Sequence, residues 1–173
     1  MHRTLLVVLA VIATSTEAVA ADEVAEFVLP SKIKVRIVEA SFEASGQTYD
    51  PKMPCLVNGR IPFGVDCSKP NTYVKSLSVQ VNDKRVELDS GSMYNAWEGR
   101  PLSPQPFKDK KSIFRYFGGA CSSEEYCVFR GLFSDGAGSF VAEWVVMSGV
   151  SARTVLSNTG DVKQSIRSNI DAR

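Results

Sequence analysis

The chemistry open to this chain is narrowed first by what is scarce. Its single histidine, His2, stands just before an apolar run that reads as a secretory signal. The exported protein is therefore expected to carry no imidazole, which is the commonest general base, serine and cysteine activator and metal ligand. Serines are abundant but have no histidine to activate them. The segment Ser134–Ser139 (SDGAGS) offers Asp135 and flanking glycines, which in other settings ligate calcium or cradle an anion. A phosphate loop, however, runs from a strand into a helix and ends in Lys-Ser/Thr, whereas this segment joins two apolar runs. It reads as a hairpin tip, with Asp135 presented to a partner. Carboxylates alone can hydrolyse glycosides. Glu143 interrupts an apolar strand, and Glu124, Glu125 and Asp135 come near it if the flanking strands pair. The competing reading of Glu143 is an ion pair with Arg130 or Arg153. No Asp-rich calcium loop occurs, and no metal or cofactor is expected.

Sulfur and aromatic groups carry the remaining signals. The four cysteines are Cys55, Cys67, Cys121 and Cys127. After export they enter an oxidising compartment, and neither local spacing is Cys-x-x-Cys. Of the three possible pairings, Cys55–Cys67 and Cys121–Cys127 close short loops and need no long-range coincidence. Such closures stabilise by about 3 and 2.4 kcal/mol on a chain-entropy account. Met93, Tyr94 and Trp97 are spaced to share one face of a short helix, either as a docking anchor or as a lid over one end of the core. Candidate partner contacts are Arg60 and Phe63 in the 55–67 loop, Tyr94 and Trp97 in the 93–107 segment, and Asp135 at the 134–139 tip.

The elements that must position these groups are mostly strands. Residues 1–20 divide into a charged start (Arg3), a nine-residue apolar run (Leu5–Ala13) and a small-residue ending, Ala18-Val19-Ala20. Nine apolar residues fall short of the roughly 20 that span a bilayer as a helix. Cleavage after Ala20 leaves residues 21–173, the size of one domain with a real core. An acidic leader over 21–30 precedes strict alternation of Ile33, Val35 and Ile37 with Lys32, Lys34 and Arg36. The apolar phase then slips to Val38, Ala40 and Phe42, which predicts a β-bulge. A long Gly- and Pro-rich loop, 45–71, must be tied down, and Cys55–Cys67 is the restraint. Tyr73–Val81, a turn at Asn82-Asp83 and Val86 with Leu88 form a hairpin. A short helix is expected over 89–97, capped by Asp89, Ser90 or Ser92. The proline-rich 99–107 stretch is irregular.

Further strands are expected over Ser112–Phe117, Tyr126–Phe133, Phe140–Met147 and Val150–Leu156. The third is apolar on both faces, as a central covered strand would be. Val162, Ile166 and Ile170 then recur at helical spacing from Asp161. The class implied is mainly β: an antiparallel β-sandwich or a strongly curved sheet or barrel with one or two short helices.

A net charge of +1 gives no electrostatic case for nucleic acid or an anionic membrane. The function expected is that of a periplasmic or secreted, non-enzymatic binding protein that engages another protein, of inhibitor, immunity or accessory-subunit type. A small-molecule or lipid carrier and a carboxylate-only hydrolase are the alternatives.

Overall fold

The computed structural model describes residues 22–97, 116–134 and 136–171. They form two antiparallel sheets of four strands each, both in simple meander order. The first sheet holds β1 (Glu23–Val28), β2 (Lys34–Ser41), β3 (Thr72–Val81) and β4 (Lys84–Leu88). The second holds β5 (Phe117–Cys121), β6 (Tyr126–Phe133), β7 (Phe140–Met147) and β8 (Val150–Ser157), followed by helix α1 (Gly160–Asp171). This is the expected mainly β, sandwich-like class.

Alternation decides which face each strand buries. Val35, Ile37, Leu77, Val79, Val86 and Leu88 point inward from the first sheet. Phe117, Phe129, Phe133, Phe140, Ala142, Trp144 and Val146 point inward from the second. Each large side chain removed from water contributes about 1.5–3 kcal/mol, and favourable ring contacts add about 0.5–1.5 kcal/mol each. The rings form a continuous series: Phe117 stacks on Phe129 at 6.2 Å, Phe129 on Trp144 at 5.6 Å and Phe133 on Phe140 at 5.2 Å. Trp144 also donates its indole N–H to the carbonyl of Asp89 at 2.9 Å, so its one polar atom is satisfied in the core.

The predicted slip in β2 is present as a register shift between Val38 and Glu39. Two connections follow the primed-turn rule. Asn82 and Asp83 carry positive φ between β3 and β4, as do Ser148 and Gly149 between β7 and β8. The β7 prediction holds in detail. Its inner face joins the main core, and on its outer face Val141 packs with Ile166 and Ile170 of α1. The helix covers only that end of the sheet; beyond it Met147 and Val150 are 59% and 71% exposed.

Three expectations change. The acidic leader contains β1, because Glu23, Ala25 and Phe27 alternate with Val24, Glu26 and Val28 and pair along β2. Residues 89–97 form turns rather than a helix: Ser92 and Asn95 take left-handed φ, and Met93 and Tyr94 bridge to Phe63 and Tyr73. Long-range backbone pairing there outweighs the local capping signal. The strand expected to end at Phe117 instead has β5 beginning there, while residues 112–115 and the proline-rich 99–107 stretch lie outside the described residues. Phe117 pairs with Gly131 and Cys121 with Cys127, so the second disulfide is a cross-strand link.

Candidate functional site

Residues 45–71 are built rather than slack. Asn58 and Gly59 take φ of 49° and 70°, and Val57 and Arg60 exchange backbone hydrogen bonds of 2.9 Å in both directions. That is the two-residue hairpin turn that Asn-Gly favours, and it sets the position of Arg60. The side chain of Asn58 accepts from the Thr48 amide at 2.8 Å, and the Asn58 amide donates back to the Thr48 carbonyl at 3.0 Å. Cys55–Cys67 closes the stretch outside this turn. Beneath it, Phe42, Val57 and Tyr94 form a small apolar cluster of their own, with Tyr49, Val65 and Tyr73 packed against it. The loop therefore has a core as well as a staple.

The loop is fastened to the 90–94 segment by backbone contacts. Phe63 N–H donates to the Ser92 carbonyl and Tyr94 N–H to the Phe63 carbonyl, each at 2.8 Å. Gly64 passes so close that a Cβ there would lie 1.7 Å from the Tyr94 carbonyl oxygen. Only glycine fits this crossing.

Between the loop, the first residues of β3 and the 90–94 segment lies a cleft of about 510 Å³. Arg60 and Asn58 enter it from the hairpin turn, Tyr73 and Lys75 from β3, and Gln47 and Tyr94 from below. Tyr94 is 4% exposed and its hydroxyl donates to Gln47 Oε1. Burial raises the Tyr94 phenol above its ordinary value, and the nearby positive charge of Arg60 opposes that rise. Lys75 is held above its usual value by a hydrogen bond and ion pair with Asp22, at 2.6 Å on the exposed rim.

Behind the cleft, the bulge in β2 turns Glu39 into the interior. Its carboxylate accepts from the Thr72 hydroxyl and, at 2.9 Å, from the Ala96 amide. A buried carboxylate between β2, the start of β3 and the 94–97 segment fixes how these pieces meet. A smaller depression of about 260 Å³ lies on the outer face of the first sheet beside Lys34, Arg36 and Arg85, where Glu26 supplies a carboxylate to Arg36 at 2.9 Å.

Of the residues singled out in the sequence, Arg60 and Tyr94 meet in the cleft. Phe63 lies under it, half-buried, with its ring 6.1 Å from Phe140. Trp97 packs on Tyr116 and Phe117 at 5.4 and 6.4 Å, which continues the core's ring series at the other end. Asp135 lies outside the described residues. Both local disulfides are present, Cys55–Cys67 and Cys121–Cys127. Glu143 binds Arg130 at 2.6 Å and the Thr154 hydroxyl at 2.8 Å, while Arg153 pairs with Asp89 instead.

The cleft also contains residues that the sequence reading passed over: Gln47, Asn58, Tyr73 and Lys75. Asn58-Gly59 was the available signal, since this dipeptide marks a hairpin even within a loop. Among the described residues no group of three or more His, Cys, Asp or Glu could hold a metal ion, and no helix is long and apolar enough to cross a membrane. No protein-family model, curated protein or solved structure matches this chain, so the cleft is read from its own geometry.

Proposed function

We propose that this chain is an exported binding protein whose cleft, at the junction of the disulfide-closed loop and the first sheet, engages another protein of the envelope or secreted milieu. One observation carries the reading: a polar recess of about 510 Å³ is presented by a loop with its own apolar cluster, disulfide and backbone fastening. Recognition loops on a stiff scaffold lose little conformational entropy on binding, which leaves more of the contact energy as affinity. An inhibitor, an immunity protein and an accessory subunit all work this way. Two disulfides fit an oxidising compartment, where the signal-like N-terminus would deliver the chain.

Crosslinking in intact cells with an amine-reactive reagent, followed by mass spectrometry, tests the proposal. Crosslinks from Lys52, Lys69 and Lys75 to one recurrent protein are expected. Recovery of uncrosslinked monomer alone refutes it.

A further inference from the structure

We infer that the cleft takes a carboxylate carried on an acidic, partly apolar segment of the partner protein, with Arg60 as the anchor. This rests on the binding reading above and names the chemistry of that site. The described residues that line the cleft include two cations, Arg60 and Lys75, and no aspartate or glutamate. Lys75 is already engaged by Asp22 at the rim. Arg60 forms no ion pair with any carboxylate among the described residues. Arg60 lines the recess together with Tyr94.

A planar guanidinium presents paired N–H donors that match the two oxygens of a carboxylate. The turn at Asn58-Gly59 holds the Arg60 backbone in place beforehand. Gln47 keeps the Tyr94 hydroxyl in position at the bottom of the recess.

Nucleic-acid bases are recognised largely by stacking on aromatic ring faces. Here the Tyr94 ring is buried against Phe42 at 6.0 Å, and Tyr73, the other ring lining the cleft, packs against the same small cluster, which leaves little ring face for stacking. Ile61, directly after Arg60 and outside the cleft lining, is 67% exposed and offers an apolar surface for a ligand segment that runs on past the cleft. Acid beside apolar is the chemistry of a peptide segment.

Titration of the full-length, ¹⁵N-labelled mature protein with acetyl-Glu-Leu-Glu-Leu-amide, followed by NMR, tests the assignment. Its Gln-for-Glu counterpart, inorganic phosphate and a galacturonate trimer serve as comparison probes. Expected are amide shifts confined to 57–61, 73–75 and 90–94, a Kd on the order of 1 mM, at least tenfold weakening in Arg60→Ala and several-fold in Arg60→Lys, and no binding of the Gln peptide. Arg60 is exposed, so the variant should retain the wild-type spectrum elsewhere.

Equal binding by Arg60→Ala, or peptide shifts scattered over other basic residues, overturns the assignment. Phosphate or the galacturonate trimer binding at these amides while the peptide does not also overturns it. The in-cell crosslinking separates the two levels. A recurrent partner retained by Arg60→Ala overturns the carboxylate anchor alone, whereas no partner for the wild type overturns the binding reading itself.

Discussion

Single residues show most directly where this molecule gives up stability for geometry. Glu23 faces inward at the start of β1, opposite Glu39, and its Oε2 is buried without a hydrogen-bond partner. Loss of solvation raises its pKa above the ordinary carboxyl value of 4.5. The folded state therefore keeps this proton to higher pH than the unfolded chain does. Ionised Glu23 opposes folding at neutral pH, and that penalty disappears as pH falls through the folded pKa. Glu23→Gln should stabilise the protein at pH 7 by roughly 0.3 kcal/mol, because water screens most of this carboxyl, with the gain shrinking toward pH 4. Urea unfolding at the two pH values measures it. Two glycines give a sharper contrast. A Cβ at Gly59 meets nothing within 4 Å, so Gly59→Ala carries only the cost of its φ of 70°, about 1 kcal/mol. Gly64→Ala forces a side chain into the Tyr94 carbonyl and should cost at least about 3 kcal/mol and remodel the cleft. Thermal unfolding of the pair separates strain from overlap. The left-handed demand at Asn58-Gly59 was legible in the sequence; the collision at Gly64 was not, because Tyr94 is 30 positions away in the chain.

Elements are joined mainly by meander hairpins, so the contacts between sheets fall to side chains. The free edge of β8 meets β4 and the turn after it. Ser151 Oγ donates to the Glu87 carbonyl at 2.6 Å, and Arg153 donates to the Gly91 carbonyl at 2.6 Å while pairing with Asp89 at 2.9 Å. Arg153 is well shielded from solvent, and that burial lowers its pKa while Asp89 opposes the fall. Removing it leaves the Gly91 carbonyl without its side-chain donor, while Asp89 keeps the Gly91 amide at 2.8 Å and its exposure to water. Arg153→Ala should cost about 1–2 kcal/mol, against about 0.5 kcal/mol or less for Arg85→Ala, whose pair with Glu87 is exposed at both ends. Chemical denaturation midpoints of the two variants test the difference. Strand identity was largely readable: β6 and β7 fall on the predicted residues, because each is a short, mostly apolar run bounded by turn signals and too short for a buried helix. The missed element, β1, has a weaker alternation in which glutamates occupy both faces. The helix wrongly expected over 89–97 shows the opposite failure, a good local cap overridden by strand-like bridges to Phe63 and Tyr73.

At the scale of the whole molecule, an aliphatic sheet packed on a ring-rich one forms a support, and the 45–71 loop is a second, smaller packing unit fastened to one end of it. The disulfides bear unequally on these parts. Opening Cys55–Cys67 frees the loop that forms the cleft, and Cys55→Ser with Cys67→Ser should lose about 3 kcal/mol together with partner binding. Opening Cys121–Cys127 releases only a cross-strand link between β5 and β6, and the matching double variant should lose about 2.4 kcal/mol with the cleft intact. Calorimetry alongside the peptide titration distinguishes the two losses. The β class, the bulge in β2, the local disulfide pairing and the C-terminal helix were all readable before any fold was known. Each of these follows from side-chain period or loop length, which act between near neighbours. Only the folded chain shows that Arg60 and Tyr94 share a cleft with Lys75, that Phe63 and Trp97 extend the core's ring series, and that of the two arginines expected beside Glu143 it is Arg130 that pairs with it. Those groupings depend on how a meandering chain brings distant residues together, and neither period nor spacing encodes that distance.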